Sequence, residues 1–127
     1  MPLAVEAKRL VLQPMAGAAS LRKWLIQNGW HIVAEDLVAD GRHLYEIMAV
    51  ERGESEAFSD AVLEIGPSLI EAKHPLLAKQ FARQINNYKK LLANMGKSEQ
   101  AKASEKYIAW EKLVQELEAL ADACNCK

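Results

Sequence analysis

The chain has 127 residues, enough for one ordinary domain or a small core with an appendage, and too few for a large two-lobed enzyme. With 50 % hydrophobic and 26 % charged residues it reads as a folding chain, not a disordered one. Sixteen Lys and Arg against seventeen Asp and Glu leave a net charge of −1, so whole-chain charge argues for neither nucleic acid nor a membrane surface, and any such signal must be local.

Apolar runs are short and interrupted by charges, and Met1-Pro2-Leu3-Ala4-Val5-Glu6 has no basic stretch leading into an apolar core. The expectation is a chain that is neither secreted nor membrane-spanning. Its two cysteines, Cys124 and Cys126, are too close for an unstrained disulfide, which suits a reducing cytoplasm. They read as part of a frayed tail, not as a metal site, because no further cysteine accompanies them and the nearest histidine is His74.

The chain opens as an α/β unit. Arg9-Leu10-Val11-Leu12-Gln13-Pro14 is an apolar run stopped by proline and reads as a buried strand. Ser20 is placed to cap a helix through Trp24, Leu25 and Ile26 that ends at Asn28-Gly29. Trp30 to Val38 and His43 to Glu51 then form two strands around an Asp40-Gly41-Arg42 turn, a hairpin signal. The expected order is strand, helix, strand, strand, with an antiparallel pair at the end.

Beyond the polar break Arg52-Gly53-Glu54-Ser55-Glu56 the apolar period becomes helical, which places a domain boundary between residues 53 and 54. Ser59 or Asp60 caps a short helix, Gly66-Pro67 interrupts it, and His74 lies at a bend before Pro75. From Leu77 the apolar residues Phe81, Ile85, Tyr88, Leu92 and Met95 form one helical stripe. After Gly96-Lys97-Ser98 a second stripe runs through Tyr107, Trp110, Val114, Leu117, Ala121 and Cys124 with near-heptad spacing. Two such helices on a short connection are expected to form an antiparallel, coiled-coil-like hairpin over residues 54–127, following an α/β remnant over residues 1–53.

No phosphate-binding glycine loop, His-Glu-x-x-His pair, Gly-x-Ser-x-Gly elbow or Cys-x-x-Cys motif occurs, so the chain carries no self-sufficient catalytic signature. Open α/β sheets bind ligands at the C-terminal ends of their strands, which here means Gln13, Pro14 and Met15, although a plain strand-to-helix turn explains them as well. His31, His43 and His74 share no metal-ligand spacing and read as surface or capping residues. Trp24, Trp30 and Trp110 fall on apolar stripes or strand ends, where core packing outweighs base stacking. One asymmetry is left: Lys79, Arg83, Lys89, Lys90 and Lys97 with no acidic residue between His74 and Lys97. Lys79, Arg83 and Lys90 share a helix face that could track a phosphate backbone, or be a solvated face offset by Glu105, Glu111, Glu116 and Glu118.

Several short segments in order carry a resemblance: Arg9 to Pro14, Leu21-Arg22-Lys23-Trp24-Leu25, Asn28-Gly29-Trp30-His31-Ile32-Val33, Glu35, Tyr45-Glu46-Ile47, Gly66-Pro67 and Glu71-Ala72-Lys73-His74-Pro75. Together they are similar to the bacterial tRNA (adenine-22-N1)-methyltransferase family. The resemblance implies a class I, S-adenosylmethionine-dependent fold, with a helical hairpin that helps hold tRNA. It covers only the later half of that pattern. The first strand with its glycine loop, the acidic residue for the ribose and the motif near the target base have no counterpart here, and Met15 stands where the family often has Asn.

The chemistry implied is methyl transfer from S-adenosylmethionine to N1 of an unstacked adenine. Gln13 and Pro14 are then candidates for lining the pocket, and Lys79, Arg83 and Lys90 for holding RNA, with no catalytic base among them. The leading expectation is the C-terminal portion of such an enzyme, inactive without a cofactor-binding half. The alternative is a non-enzymatic interaction module that dimerises through Phe81, Ile85, Tyr88 and Leu92. A third expectation is self-association through the exposed edge of the first strand.

Overall fold

The computed structural model describes residues Lys8–Leu12 and 18–125, in the order β1 (Lys8–Leu12), α1 (Ala18–Gln27), β2 (Trp30–Asp40), β3 (His43–Arg52), α2 (Asp60–Ile65), α3 (Pro67–Glu71), α4 (Leu77–Met95), α5 (Glu99–Lys102) and α6 (Glu105–Ala123). They fall into two compact units that divide at Leu76/Leu77. The expected boundary at 53/54 is therefore displaced. The period does change there, but α2 packs on α1 and α3 packs on β2, so both belong with the sheet.

In the first unit β3 is the middle strand of the order β1-β3-β2 and runs antiparallel to both neighbours. β1 and β2 thus run the same way on either side of it, joined through α1, as in an α/β crossover. Asp40 pairs with His43, so the hairpin turn is Gly41-Arg42, and Gly41 takes the positive φ of 61° that such a tight turn needs.

Along β3, Leu44, Glu46, Met48 and Val50 are buried and alternate with half-buried neighbours, the period-two signature of a sheet with one covered face. On β2 the inward residues are Ile32, Glu35 and Leu37, and the spacing of three between the first two is made possible by a bulge at Val33. The extra residue restores the phase of the strand, so that Glu35 turns inward where regular pleating would turn it out.

Leu25 on α1 closes over Ile32, Met48 and Val50, with Leu21 and Trp30 at the margin and the Arg52 guanidinium 5.0 Å from the Trp30 ring centroid. Trp24, expected in the core, is 54 % exposed, because the helix turns Arg22 and Leu25 inward and leaves Trp24 on its outer side. Ser20 also lies inside α1 and is not its cap. At the other end, Asn28 donates from Nδ2 to the Trp24 carbonyl (2.7 Å), and Gly29 follows at φ 83° to end the helix.

In the second unit α4 and α6 lie side by side, with the Tyr88 and Trp110 rings edge to face at 5.5 Å and Lys89 Nζ 3.2 Å from Glu118 Oε2. The expected single break between them contains the short helix α5, because Ser98 caps α5 through the Ala101 N–H and Ser104 caps α6 through the Tyr107 N–H. Cys124 is half-buried at the end of α6, and Cys126 lies outside the described residues.

Met48→Ala, at a site with no exposure, should cost about 2–5 kcal/mol in urea unfolding, whereas Trp24→Ala should stay within about 0.5 kcal/mol of the parent.

Candidate functional site

Two groups of charged side chains distinguish the structure, one sealed in the first unit and one facing outward on the second. The sealed group centres on Arg22, which is fully buried. Its Nε donates to Glu35 Oε2 at 2.9 Å, Nη2 lies 2.8 Å from the same oxygen and donates to Glu46 Oε1 at 2.7 Å, and Nη1 donates to the Leu63 carbonyl at 2.7 Å. The Ile65 carbonyl accepts a longer bond from Nη2 at 3.4 Å. Glu35 Oε1 in turn accepts from the Ser68 N–H at 3.0 Å. One guanidinium therefore joins α1, β2, β3 and the end of α2, and one carboxylate joins β2 to α3.

Gly66 stands against this cluster at φ 123°, and a Cβ there would come within 2.7 Å of Glu35 Oε2 and 3.0 Å of Arg22 Nη2. Paired carboxylates can perform acid–base chemistry, but Glu35 and Glu46 keep only 1 % and 2 % of their side-chain surface, and both are engaged by Arg22. The arrangement holds elements together; it offers a substrate no access.

On α4 the three cations expected on one face do share it, since 3.6 residues per turn puts Lys79, Arg83 and Lys90 within about 40° of one another. Lys79 and Lys90 are exposed, and among the described residues neither forms an ion pair. Arg83 differs from the expectation: it is half-buried and its Nη2 donates to Oε1 of the fully buried Gln80 at 2.6 Å. Lys89 turns away to Glu118 on the acidic helix. The stripe Phe81, Ile85, Tyr88, Leu92 is taken up within the chain, with Phe81 buried and the other three half-buried.

Gln13 and Pro14, with Met15, lie outside the described residues. Of the histidines, His74 is no surface residue: its side chain is 16 % exposed and lies 2.6 Å from Asp36 Oδ1. Among the described residues no cluster suits a metal ion, and no helix is long and apolar enough to cross a membrane. A cleft of about 480 Å³ between His31, Val33, Phe58, Ser68 and Glu71 sits by the start of β2, the opposite end from the strand termini where open α/β sheets take ligands. No step of methyl transfer is assigned to the described residues.

An α/β unit with a crossover through α1, followed by a helical unit, defines an α/β class. Comparison with known proteins narrows it: the family model described as tRNA (adenine(22)-N(1))-methyltransferase matches residues 4–118, and the chain belongs to that family. It is 25 % identical over 85 residues to the tRNA (adenine(22)-N(1))-methyltransferase of Bacillus subtilis, covering 63 % of this chain and 36 % of that protein. Among solved structures, an NADB-Rossmann superfamily protein from Streptococcus agalactiae superposes with a TM-score of 0.67 at 28 % identity, over 88 % of this chain and 47 % of that one. A putative tRNA (m1A22) methyltransferase of Streptococcus pneumoniae, in complex with S-adenosyl-L-methionine, superposes with a TM-score of 0.60 at 25 % identity, over 86 % and 46 %. The chain spans about a third of the length of the curated relative and about half of the solved ones.

The Arg22 cluster was the part that sequence reasoning missed. Its signal was present, since Arg22, Glu35, Glu46 and Gly66-Pro67 are among the residues that carry the family resemblance. Arg22→Met should cost about 3–5 kcal/mol in denaturant unfolding by leaving two buried carboxylates uncompensated. Gly66→Ala should cost about 2 kcal/mol or more, because the positive φ and the crowded Cβ act together.

Proposed function

We propose that this chain is the RNA-holding portion of an S-adenosylmethionine-dependent tRNA adenine-N1 methyltransferase, with α4 and α6 acting as an antiparallel, coiled-coil-like arm. The observation that carries the reading is the outward face of α4, where Lys79 and Lys90 stand exposed and, among the described residues, without carboxylate partners while Arg83 is braced by Gln80. Ammonium groups about three turns, or about 16 Å, apart on one helix face suit phosphates a few nucleotides apart along a backbone. Asn86 and Asn94, also exposed on α4, add donors and acceptors near the same row.

Cofactor binding and methyl transfer belong, in this reading, to residues equivalent to the part of its relatives that the chain does not span. Gln13 and Pro14 would line the target-base pocket from the end of β1, a positioning role without proton transfer. The chain alone binds tRNA without methylating it. A dimerising module is the second reading; the exposed Leu91 and Ile108, 44 % and 57 % accessible, are the surface it would have to use.

The test is tRNA affinity across a salt series for the parent chain and for Lys79→Glu/Lys90→Glu. Each phosphate contact contributes roughly 0.7–0.9 to the slope of log affinity against log salt, so the double variant should lose about 1.4–1.8 units of slope as well as affinity. An unchanged slope, or no binding at low salt together with a stable dimer broken by Ile108→Asp, would favour the interaction module.

A further inference from the structure

The tip of the β2–β3 hairpin, within the sheet unit, carries an arrangement that the reading of α4 leaves unused. β1 and β2 run the same way and end at Leu12 and Asp40, so both finish at the end of the sheet where open α/β sheets take their ligands. In the register Leu12 faces Glu46, while β3 begins earlier, at His43. Tyr45 and His43 therefore stand past the last residue of β1, and the turn Gly41-Arg42 lies further out still. A Cβ at Gly41 would meet nothing within 4 Å, so the turn is open.

Alternation along β3 puts His43 and Tyr45 on the side of the sheet away from the buried Leu44 and Glu46. Their rings lie 5.9 Å apart between centroids, inclined at 43°. Val38, which pairs with Tyr45 across the strands, is 41 % exposed and extends the same surface. Arg42 and His43 are exposed and Tyr45 is half-buried. Among the described residues Arg42 forms no ion pair, and neither does Asp40, which pairs with His43 in the register.

Packing accounts for Tyr45 and Val38, since an aromatic ring opposite a β-branched side chain steadies a hairpin. It does not account for an exposed imidazole that lengthens the ring surface, or for a guanidinium left in water beside it. Rings in a row with a cation at hand are what unpaired bases stack on, because every base has a π-face and an anionic backbone next to it. Asp40 offsets the charge of Arg42, so the tip suits a base more than a run of phosphates. We propose that His43 and Tyr45 form a stacking shelf for an unpaired RNA base, with Arg42 contacting the adjoining phosphate. The shelf rests on the RNA-holding reading and adds a contact of another kind, made through rings where α4 acts through charge.

The experiment uses the full chain with His43→Ala, Tyr45→Leu and Tyr45→Phe, and two probes. Single-stranded oligoadenylate offers bases and phosphates, whereas inorganic polyphosphate offers phosphates alone. Proton NMR of the imidazoles reads stacking directly: oligoadenylate should move the His43 signals upfield through the ring current of the base, leave those of His31 and His74 in place, and have no counterpart with polyphosphate at equal phosphate concentration. Tyr45→Leu keeps an apolar partner for Val38 and loses the ring. It and His43→Ala should each weaken oligoadenylate binding about tenfold, the size expected for loss of one stacked base, with the salt slope of the parent, and Tyr45→Phe should bind as the parent does.

His43 signals that respond equally to polyphosphate mark an ionic effect and overturn the shelf. So do His43 signals that stay in place, the absence of oligoadenylate binding at low salt, or a Tyr45→Phe variant as weak as Tyr45→Leu. The reading of α4 fails separately, through the tRNA affinity and salt slope of Lys79→Glu/Lys90→Glu, and the His43 signals decide the shelf whichever way that falls.

Discussion

Burying one guanidinium is the constraint on which the first unit depends. Arg22 leaves water completely, so every donor it carries needs an acceptor, and the unit supplies them from three separate elements: Glu35 on β2, Glu46 on β3, and the Leu63 and Ile65 carbonyls of α2, all reached from α1. The geometry then dictates other features. The bulge at Val33 turns Glu35 inward, Gly66 lacks the Cβ that would strike Glu35, and the Ser68 N–H takes the carboxylate oxygen that Arg22 leaves over. Removing any one of these leaves a buried charge without its partner, which costs more than the intact pair contributes. A core of Leu25, Ile32, Met48 and Val50 is small, and the charged cluster fixes the register in which it can close.

The two units handle charge in opposite ways, and the functional reading follows from that contrast. In the sheet unit the ionised groups Arg22, Glu35 and Glu46 are consumed in packing and closed to solvent. On α4, Lys79 and Lys90 are left facing water, and the nearest acidic helix engages Lys89 instead. In the proposed reading a polyanion finds its partners on the arm, while a cleft of the sheet unit beside His31 and Glu71 lies by the start of β2. The chain belongs to a tRNA methyltransferase family and spans only part of the length of its relatives, and the proposed function reads this division as an arm that presents tRNA.

Periodicity made the long helices and the β2–β3 hairpin legible, because each stripe or alternation is a local pattern that burial then satisfies. The hairpin turn around Gly41 and the cap at Ser59 were legible for the same reason: their chemistry acts within four residues. Arg22, Glu35 and Glu46 were not legible as a cluster. They are 13 and 24 residues apart from Arg22, and a charged residue beside Lys23 on a helix looks like surface until the bulge and the reversal at Gly66 are known. Trp24 misled for the opposite reason: its bulk suggested the core, yet the helix phase is set by Arg22 and Leu25. The boundary at 53/54 failed because a change of period marks a change of element, whereas α2 and α3 are tied back to the sheet by Arg22 and Glu35. His74 was read as a capping residue, and its bond to the Leu76 N–H agrees; its reach to Asp36 across the fold carried no local signal.

The most direct test of the account is a lysine-modification footprint of the chain, measured by mass spectrometry with and without tRNA. Lys79 and Lys90 should be shielded by tRNA, while Lys23, paired with Asp60 on the sheet unit, and Lys106, stacked on Trp110, should react as they do in the free chain. Shielding centred on Lys106 and Lys112 with Lys79 and Lys90 untouched, or equal reactivity at every lysine under conditions where tRNA is bound, would contradict the assignment of α4 as the surface that holds RNA.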